Sequence, residues 1–281
     1  MKPVLLSFFL LIAAAARSQE LYVFSDPASN VPANSISFKY AGKWVKEVSA
    51  VHEHVSSRHM LESSIGMNKR LMLRPAITFS NMYIAYPDRR QVFESLSLYV
   101  KYRFLSIDEV HRHFRASFYW KGVFSRNPLN YDELTIDGDQ SAAQLGIIAT
   151  QLVNKLAVSA TASLHQVLDG ERFLKYGGPR RFGYQAFNYS VSGGYLLFPK
   201  KYKNYKQTNF NLYCEVLGGK GIDRKYDFVD VAPAFQLIFN SSSKLNMGYR
   251  FQLQANAYRM ARNAAYLSFE KTFLNKLSRK K

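Results

Sequence analysis

The chain contains 281 residues, of which 38 are Lys or Arg and 20 are Asp or Glu, giving a formal net charge of +18 at pH 7. Aromatic residues make up 15% of it, as 21 Phe and 19 Tyr against 2 Trp, although the mean hydropathy is slightly below zero. This composition is unusual for a soluble protein and typical of a transmembrane β-barrel, whose strands face lipid on one side and water on the other. The single cysteine, Cys214, excludes disulfide bonds within the chain and zinc sites made of cysteines.

Residues 1–18 form a predicted signal peptide. Lys2 gives it a positive start, an apolar run covers residues 4–16, and Ala16-Arg17-Ser18 places small residues before a cleavage point at Gln19. The run is shorter than the ~20 residues that a membrane-spanning helix needs, so we expect cleavage rather than anchoring. Export to the cell envelope argues against nucleic acid as the partner of the basic charge. Lipopolysaccharide phosphates and anionic solutes remain as partners.

Residues 19–34 form a separate N-terminal segment without a strand pattern. Asp26-Pro27, Asn30 and Pro32 interrupt regular structure. Two interpretations stay open. The segment is either a periplasmic lead-in, which is the simpler interpretation, or a lumen segment that folds back into the barrel as a plug.

Residues 35–273 carry the alternation of apolar and polar residues that predicts strands with two different faces. The alternation is clearest over residues 245–254 and recurs over 95–104 and 209–216. Segments of this length suit a tilted membrane strand of ~9 to 11 residues. Short and longer polar links alternate between them, as periplasmic turns and external loops do in an outer-membrane barrel.

We therefore predict an all-β fold, a transmembrane antiparallel up-and-down β-barrel of about twelve strands, located in the outer membrane of a Gram-negative bacterium. An even strand number places both ends of the barrel in the periplasm. The predicted strands are residues 35–45, 58–67, 70–82, 94–104, 113–123, 140–152, 155–167, 184–197, 207–218, 228–239, 244–256 and 263–273.

The last predicted strand ends in an aromatic residue, Phe273, and a basic tail of residues 274–281 follows it. Outer-membrane barrels commonly end in an aromatic residue, which the barrel assembly machinery is thought to read. The tail is a departure from that pattern. We expect the assembly machinery, outer-membrane lipid and lipopolysaccharide to be partners of the barrel.

Six short motifs suggest a relationship to known proteins: Glu20-Leu21-Tyr22-Val23-Phe24, Pro27-Ala28-Ser29-Asn30, Lys101-Tyr102-Arg103-Phe104-Leu105-Ser106, Ala149-Thr150-Gln151-Leu152, Tyr202-Lys203-Asn204-Tyr205-Lys206-Gln207-Thr208-Asn209 and Asp230-Val231-Ala232-Pro233. In these motifs the chain resembles an uncharacterised family of Bacteroidetes outer-membrane β-barrels, over nearly the whole mature chain. The resemblance implies a location and a fold. It supplies no activity and no functional residues, so the function has to be inferred from the residues themselves.

The predicted lumen has charges of opposite sign on opposite sides. Five cations project inward from three sequential strands and form a basic wall: Arg74, Lys101, Arg103, Arg115 and Lys121. Three acids on strands roughly opposite form an acidic wall: Glu215, Asp230 and Glu270. Such walls would orient or select small polar or anionic solutes in a narrow channel or transporter. The alternative is a structural or surface-interaction barrel that its own side chains close.

An enzyme and a metal site are the remaining candidates. A lipid hydrolase needs Ser and His within hydrogen-bond reach. The order His-x-Ser does not occur, and neither His113 nor His165 has a nearby serine on its own face, so we expect no enzyme.

His52, His54 and His59 are weak candidates for a metal site in the first external loop, but histidines at this spacing in a polar loop are usually unliganded. No cofactor is expected.

Overall fold

The computed structural model describes residues 22–48, 53–81, 90–126, 133–134, 140–168, 183–199, 207–257, 259 and 261–277. Over these residues the chain forms twelve antiparallel strands that close into one barrel. They are β1 (Ile36–Val48), β2 (Glu53–Gly66), β3 (Leu71–Ser80), β4 (Val92–Glu109), β5 (Arg112–Ser125), β6 (Ala142–Val153), β7 (Leu156–Val167), β8 (Gln185–Phe198), β9 (Asn209–Gly221), β10 (Asp227–Phe239), β11 (Ser243–Ala255) and β12 (Asn263–Phe273). The predicted fold class is confirmed.

Each strand pairs with its neighbours in the chain, and β1 pairs with β12 to close the barrel, with Ile36 opposite Phe273. The last strand has the predicted bounds. The predicted signal peptide, residues 1–18, and the last residues of the basic tail, 278–281, lie outside the described residues. No helix in the described part of the chain is long and apolar enough to cross a membrane.

Two strands, β2 and β4, exceed their predicted lengths by the most. β2 begins at Glu53, not at 58, because the β1–β2 ladder continues until Val48 lies opposite Glu53. β4 continues to Glu109, not to 104, because it stays paired with β5 through Glu109 and Arg112. The link between β1 and β2 is therefore four residues, shorter than the gap of 46–57 between the predicted strands, and the short link between β4 and β5 is a two-residue turn in which His111 has a positive φ of 63°.

The faces of the barrel are the reverse of those in a soluble protein. On β7, Leu156, Val158 and Leu164 are exposed on the outer face, while Ser159 and Ser163 are buried inside. The same arrangement recurs in the other strands, because lipid accepts apolar side chains and the lumen accepts polar ones. The short links after β2, β4, β6 and β10 and both ends of the barrel lie at one end, here named the turn end. The opposite end is the loop end.

Residues 22–34, here named the N-terminal segment, lie inside the barrel. Tyr22 and Val23 pack against Tyr213 in one cluster, and Ala28 and Val31 pack against Met72, Tyr99, Tyr119 and Ile148 in another. Gly66, the last residue of β2, permits this path, since a Cβ there would lie 2.2 Å from the Pro32 carbonyl oxygen. Residues 22–34 thus pack against lumen-facing side chains, as a lumen segment would.

Candidate functional site in the barrel lumen

One carboxylate holds the first part of the N-terminal segment. Glu215 on β9 is fully buried and accepts hydrogen bonds from the backbone N–H groups of Val23, Phe24 and Ser25, at 2.8, 2.9 and 2.8 Å. The Ser25 hydroxyl donates a further bond at 2.7 Å, and the Ser192 hydroxyl on β8 donates another at 3.2 Å. Bonds to an ionised acceptor are about twice as strong as neutral ones. Glu215 is therefore an anchor for three consecutive peptide groups.

The opposite side of the lumen holds the next part of the segment by its carbonyl groups. Lys101 on β4, which is 1% exposed, donates from Nζ to the carbonyl oxygens of Pro27 and Ser29 at 2.8 and 2.6 Å. Ser117 on β5 donates from its hydroxyl to the Ala28 carbonyl at 2.6 Å. Three consecutive carbonyl groups are thus bound from the basic side.

The two sides therefore recognise opposite backbone groups of one peptide. The acidic side binds the N–H groups of residues 23–25, and the basic side binds the C=O groups of residues 27–29. Because these contacts are to the backbone, they depend on the path of the segment more than on its side chains. The charge asymmetry predicted across the lumen orients the chain's own N-terminal segment.

Asp26, between the two anchors, makes the ion pair of the segment. Arg74 on β3 approaches its carboxylate with both terminal nitrogens, at 2.9 and 3.1 Å. Arg74 also lies 3.7 Å from Glu62 and over the ring of Tyr99. Burial alone would raise the pKa of the Asp26 carboxyl, but the charges of Arg74 and Lys101 outweigh burial and hold that pKa below its ordinary value.

This shift predicts how docking of the segment depends on pH. Because the pKa of Asp26 is lower in the docked segment than in a released one, its contribution is fully present above the ordinary value of about 3.9 and is lost as the pH falls toward the depressed pKa. We expect the docking free energies of wild-type protein and Asp26→Asn to differ by a constant amount from pH 8 to about pH 5 and to converge in stronger acid. Protease cleavage of the segment in the folded barrel measures this. Asp223→Asn, in the β9–β10 link, is the control, and convergence already at pH 6 would contradict the assignment.

The remaining residues of the predicted walls lie in several parts of the barrel. Arg115 donates to the Ser29 hydroxyl at 3.0 Å and so joins the basic side of the segment. Arg103 donates to the Lys69 carbonyl at 2.6 Å, near the turn end. Lys121 lines the central cavity. Glu270 lies 3.7 Å from Lys244, and Asp230 belongs to a separate cluster.

That separate group, here named the loop-end cluster, comprises Glu133, Asp230, Arg250 and Arg259. Arg259 forms paired bonds to Asp230, both at 2.7 Å, and further bonds to Glu133 at 2.8 and 2.9 Å. Arg250 lies 3.3 Å from Glu133. Burial raises the pKa of Glu133, but Arg250 and Arg259 lower it by more, and the net shift is downward. The sequence analysis missed Glu133, Arg250 and Arg259. Glu133 and Arg259 lie in links that carry no strand pattern, and Arg250 lies in β11.

A cavity of about 340 Å³ is bounded by the N-terminal segment on one side and reaches Arg250 of the loop-end cluster. Of the described residues that line it, seven are basic and three are acidic, the acids being Asp26, Glu62 and Glu270. Tyr99, Tyr119 and Tyr266 add aromatic surface. The compartment is therefore lined by polar, charged and aromatic side chains.

Of the three candidate metal ligands, the structure describes the side chain of His59 alone. His52 lies outside the described residues. His54 is part of β2, but its side chain also lies outside the described part of the structure. His59 lies on the outer face of β2 and contacts Tyr40 and Ser57. Within the described ranges, no group of three or more His, Cys, Asp or Glu side chains is placed to hold a metal ion.

Comparisons with known proteins give structural likeness alone. The sequence matches no known family profile and no curated protein. Among solved structures, the NanC porin superposes with a TM-score of 0.50 at 9% identity, over 85% of this chain and 100% of that one. The chain has the fold of an outer-membrane β-barrel. The KdgM porin in complex with disordered oligogalacturonate gives a TM-score of 0.45 at 8% identity, over 84% of this chain and 99% of its own. Acinetobacter baumannii OccAB4 gives 0.37 at 12% identity, and the match covers 82% of this chain but 56% of OccAB4.

Proposed function

We propose that the protein is an outer-membrane channel or transporter for small polar or anionic solutes, and that the N-terminal segment is its gate. The observation that carries the proposal is the cavity beside the segment, whose lining has seven basic and three acidic residues. Two of the basic residues, Arg58 and Arg250, pair with carboxylates outside the lining, and the remaining excess of positive charge concentrates anions and disfavours cations.

The attachment of the segment suits a gate. Its described contacts with the barrel are hydrogen bonds, one ion pair with Arg74 and packing of small clusters, so it can leave without breaking a covalent bond. The segment is continuous with β1 at the turn end, which is the periplasmic end if the barrel has the usual orientation. A periplasmic event that withdraws the N-terminal segment would then open the lumen.

The location and the partners follow from the same fold. The outer face of β5 exposes Phe118, Trp120 and Phe124, which supports contact with outer-membrane lipid. Phe273 ends β12 on the outer face and supports recognition by the barrel assembly machinery. Lipopolysaccharide contact and a cleaved signal peptide at residues 1–18 are further parts of the proposal, as is membership of the uncharacterised Bacteroidetes barrel family. The porin fold shared with NanC agrees with a channel and names no solute.

A closed structural or surface-interaction barrel is the second candidate, and the occupied lumen favours it. Three carbonyl groups and three N–H groups of the segment are bound, which is more than a loosely inserted tail would need. The two candidates differ in one property. A gate opens when an anchor is weakened, whereas a structural filling leaves the barrel silent or unfolded.

Planar-bilayer recording under a salt gradient tests the proposal. We expect little conductance from the wild-type protein and an anion-selective conductance from Glu215→Gln, in which the segment has lost its acidic anchor. Adding Lys121→Glu, which reverses a charge in the cavity lining, should lower the anion-to-cation permeability ratio several-fold. Lys46→Glu, on the exposed outer face of β1, is the control. Cation preference, or no conductance from folded protein of either form, would refute the channel.

A further inference from the structure

A chain of hydrogen-bonded polar side chains lies on the outer surface of the barrel, separate from the lumen. The Tyr40 hydroxyl and His59 Nδ1 are 2.7 Å apart, and His59 Nε2 and the Ser57 hydroxyl are 3.1 Å apart. The Gln91 amide nitrogen donates to the Ser57 hydroxyl at 2.7 Å. A serine, its base and a group that orients the base therefore stand in hydrogen-bond contact.

The strands fix this arrangement. Ser57 and His59 are two residues apart on β2 and so share its outer face, where Trp44 of β1 lies opposite Ser57 and Gly42 opposite His59. The Trp44 indole and the His59 imidazole pack edge to face. Gly42 makes room for the indole, because a Cβ at Gly42 would lie 2.4 Å from the Trp44 ring. The order Ser-x-His serves as well as His-x-Ser, and the sequence analysis overlooked it.

The contacts accommodate the protonation state that base catalysis needs. With a proton on Nδ1, the imidazole donates to the Tyr40 oxygen and accepts at Nε2 from the Ser57 hydroxyl. The serine oxygen still accepts from Gln91, so each of the three bonds has one donor and one acceptor. The Gln91 amide donates to the serine oxygen itself, so it holds the hydroxyl in place.

The position of the group indicates its substrate. Along the same outer faces toward the turn end, Leu61 and Phe38 are 52% and 53% exposed and belong to the lipid-facing belt. Tyr40 and Trp44 are the amphipathic aromatics that mark the boundary between lipid chains and headgroups. An acyl ester of an outer-leaflet lipid has its carbonyl at this depth, and water reaches it from the loop end.

We propose that Ser57 and His59 are the nucleophile and the general base of an esterase site for membrane acyl lipids. Ser57 Oγ bonds to the acyl carbon as His59 Nε2 takes its proton. The ester C–O bond then breaks, and the leaving alcohol takes that proton. Water attacks the acyl-serine, gives one proton to His59 and releases the fatty acid, and the proton returns to Ser57. Tyr40 is a positioning residue that orients the imidazole.

Two measurements on the refolded mature protein test the site, and neither depends on the channel. A fluorophosphonate probe should label Ser57, identified by mass spectrometry. Turnover of 4-nitrophenyl octanoate, and fatty-acid release from phosphatidylethanolamine vesicles, should fall at least ~100-fold in Ser57→Ala and in His59→Gln. Ser63→Ala, on the same face of β2, should stay within about twofold. Tyr40→Phe should lower kcat with KM unchanged and shift the pH profile of turnover.

Heat-modifiable gel mobility confirms folding of each variant. Wild-type turnover equal to that of folded Ser57→Ala would overturn the proposal, as would labelling of Ser57 that His59→Gln leaves unchanged. If Ser57→Ala fails to fold, labelling of the wild-type protein decides, and unlabelled Ser57 in folded wild-type protein refutes the site. A silent channel with an active esterase, or the reverse, separates the two proposals.

Discussion

Glu215→Gln is expected to release the N-terminal segment and to open the lumen. The substitution removes the charge that five donors share, and its amide group places new N–H donors against the N–H groups of residues 23–25. Leaving a buried N–H donor unsatisfied costs about 1 to 3 kcal/mol. A loss of about 3 kcal/mol would shift a docked segment toward the released state by about two orders of magnitude.

The release is measured by single-channel conductance and by protease cleavage within residues 22–34 of the folded barrel. Glu270→Gln is the matched control, because Glu270 also faces the lumen but its ion partner is Lys244 on the barrel wall. We expect the control to leave both measurements near wild-type values. Equal protection of the segment in Glu215→Gln and wild-type protein would show that packing of Ala28 and Val31, and not the carboxylate, holds it.

The barrel could be predicted because the membrane dictates its pattern. On β11, Met247, Tyr249 and Phe251 are exposed on the outer face while Asn246 and Arg250 are buried inside, which is the alternation seen in the sequence. A slip by one residue would put polar side chains into lipid, so the register follows from the pattern. The same reasoning placed Lys101, Arg74 and Glu215 on the lumen side.

The occupant of the lumen could not be predicted in the same way. Lys101 and Glu215 bind backbone groups, and backbone groups have no sequence signature. Residues 22–34 therefore look like any irregular polar segment. Glu133 and Arg259 were missed for a related reason: they lie in links, where no periodicity tells which side chains turn inward. The pairing of Arg259 with Glu133 depends on the closed barrel, which brings residues 126 positions apart within 2.8 Å.

The loop-end cluster gives a second large expected effect. Arg259→Gln should lower the free energy of unfolding by about 3 to 5 kcal/mol, because Arg250 becomes the one arginine of the cluster that faces the fully buried Asp230 and the buried Glu133. Urea or thermal unfolding of the folded barrel in detergent measures this. Arg262→Gln, an exposed neighbour in the same link, is the control and should change stability by no more than about 0.5 kcal/mol.

A double variant separates charge pairing from packing in this cluster. If the loss comes from an uncompensated carboxylate, Arg259→Gln with Asp230→Asn should recover a large part of it, so the two substitutions will be strongly non-additive. The stability contributed by the cluster should also depend on pH. Since the pKa of Glu133 is below its ordinary value, the ion pair of Glu133 with Arg259 stabilises the barrel at neutral pH, and this stabilisation decreases as acid protonates Glu133. Additive effects that do not vary with pH would assign the loss to the contact of Arg259 with the Phe228 ring, 4.3 Å away, because that contact does not depend on either carboxylate.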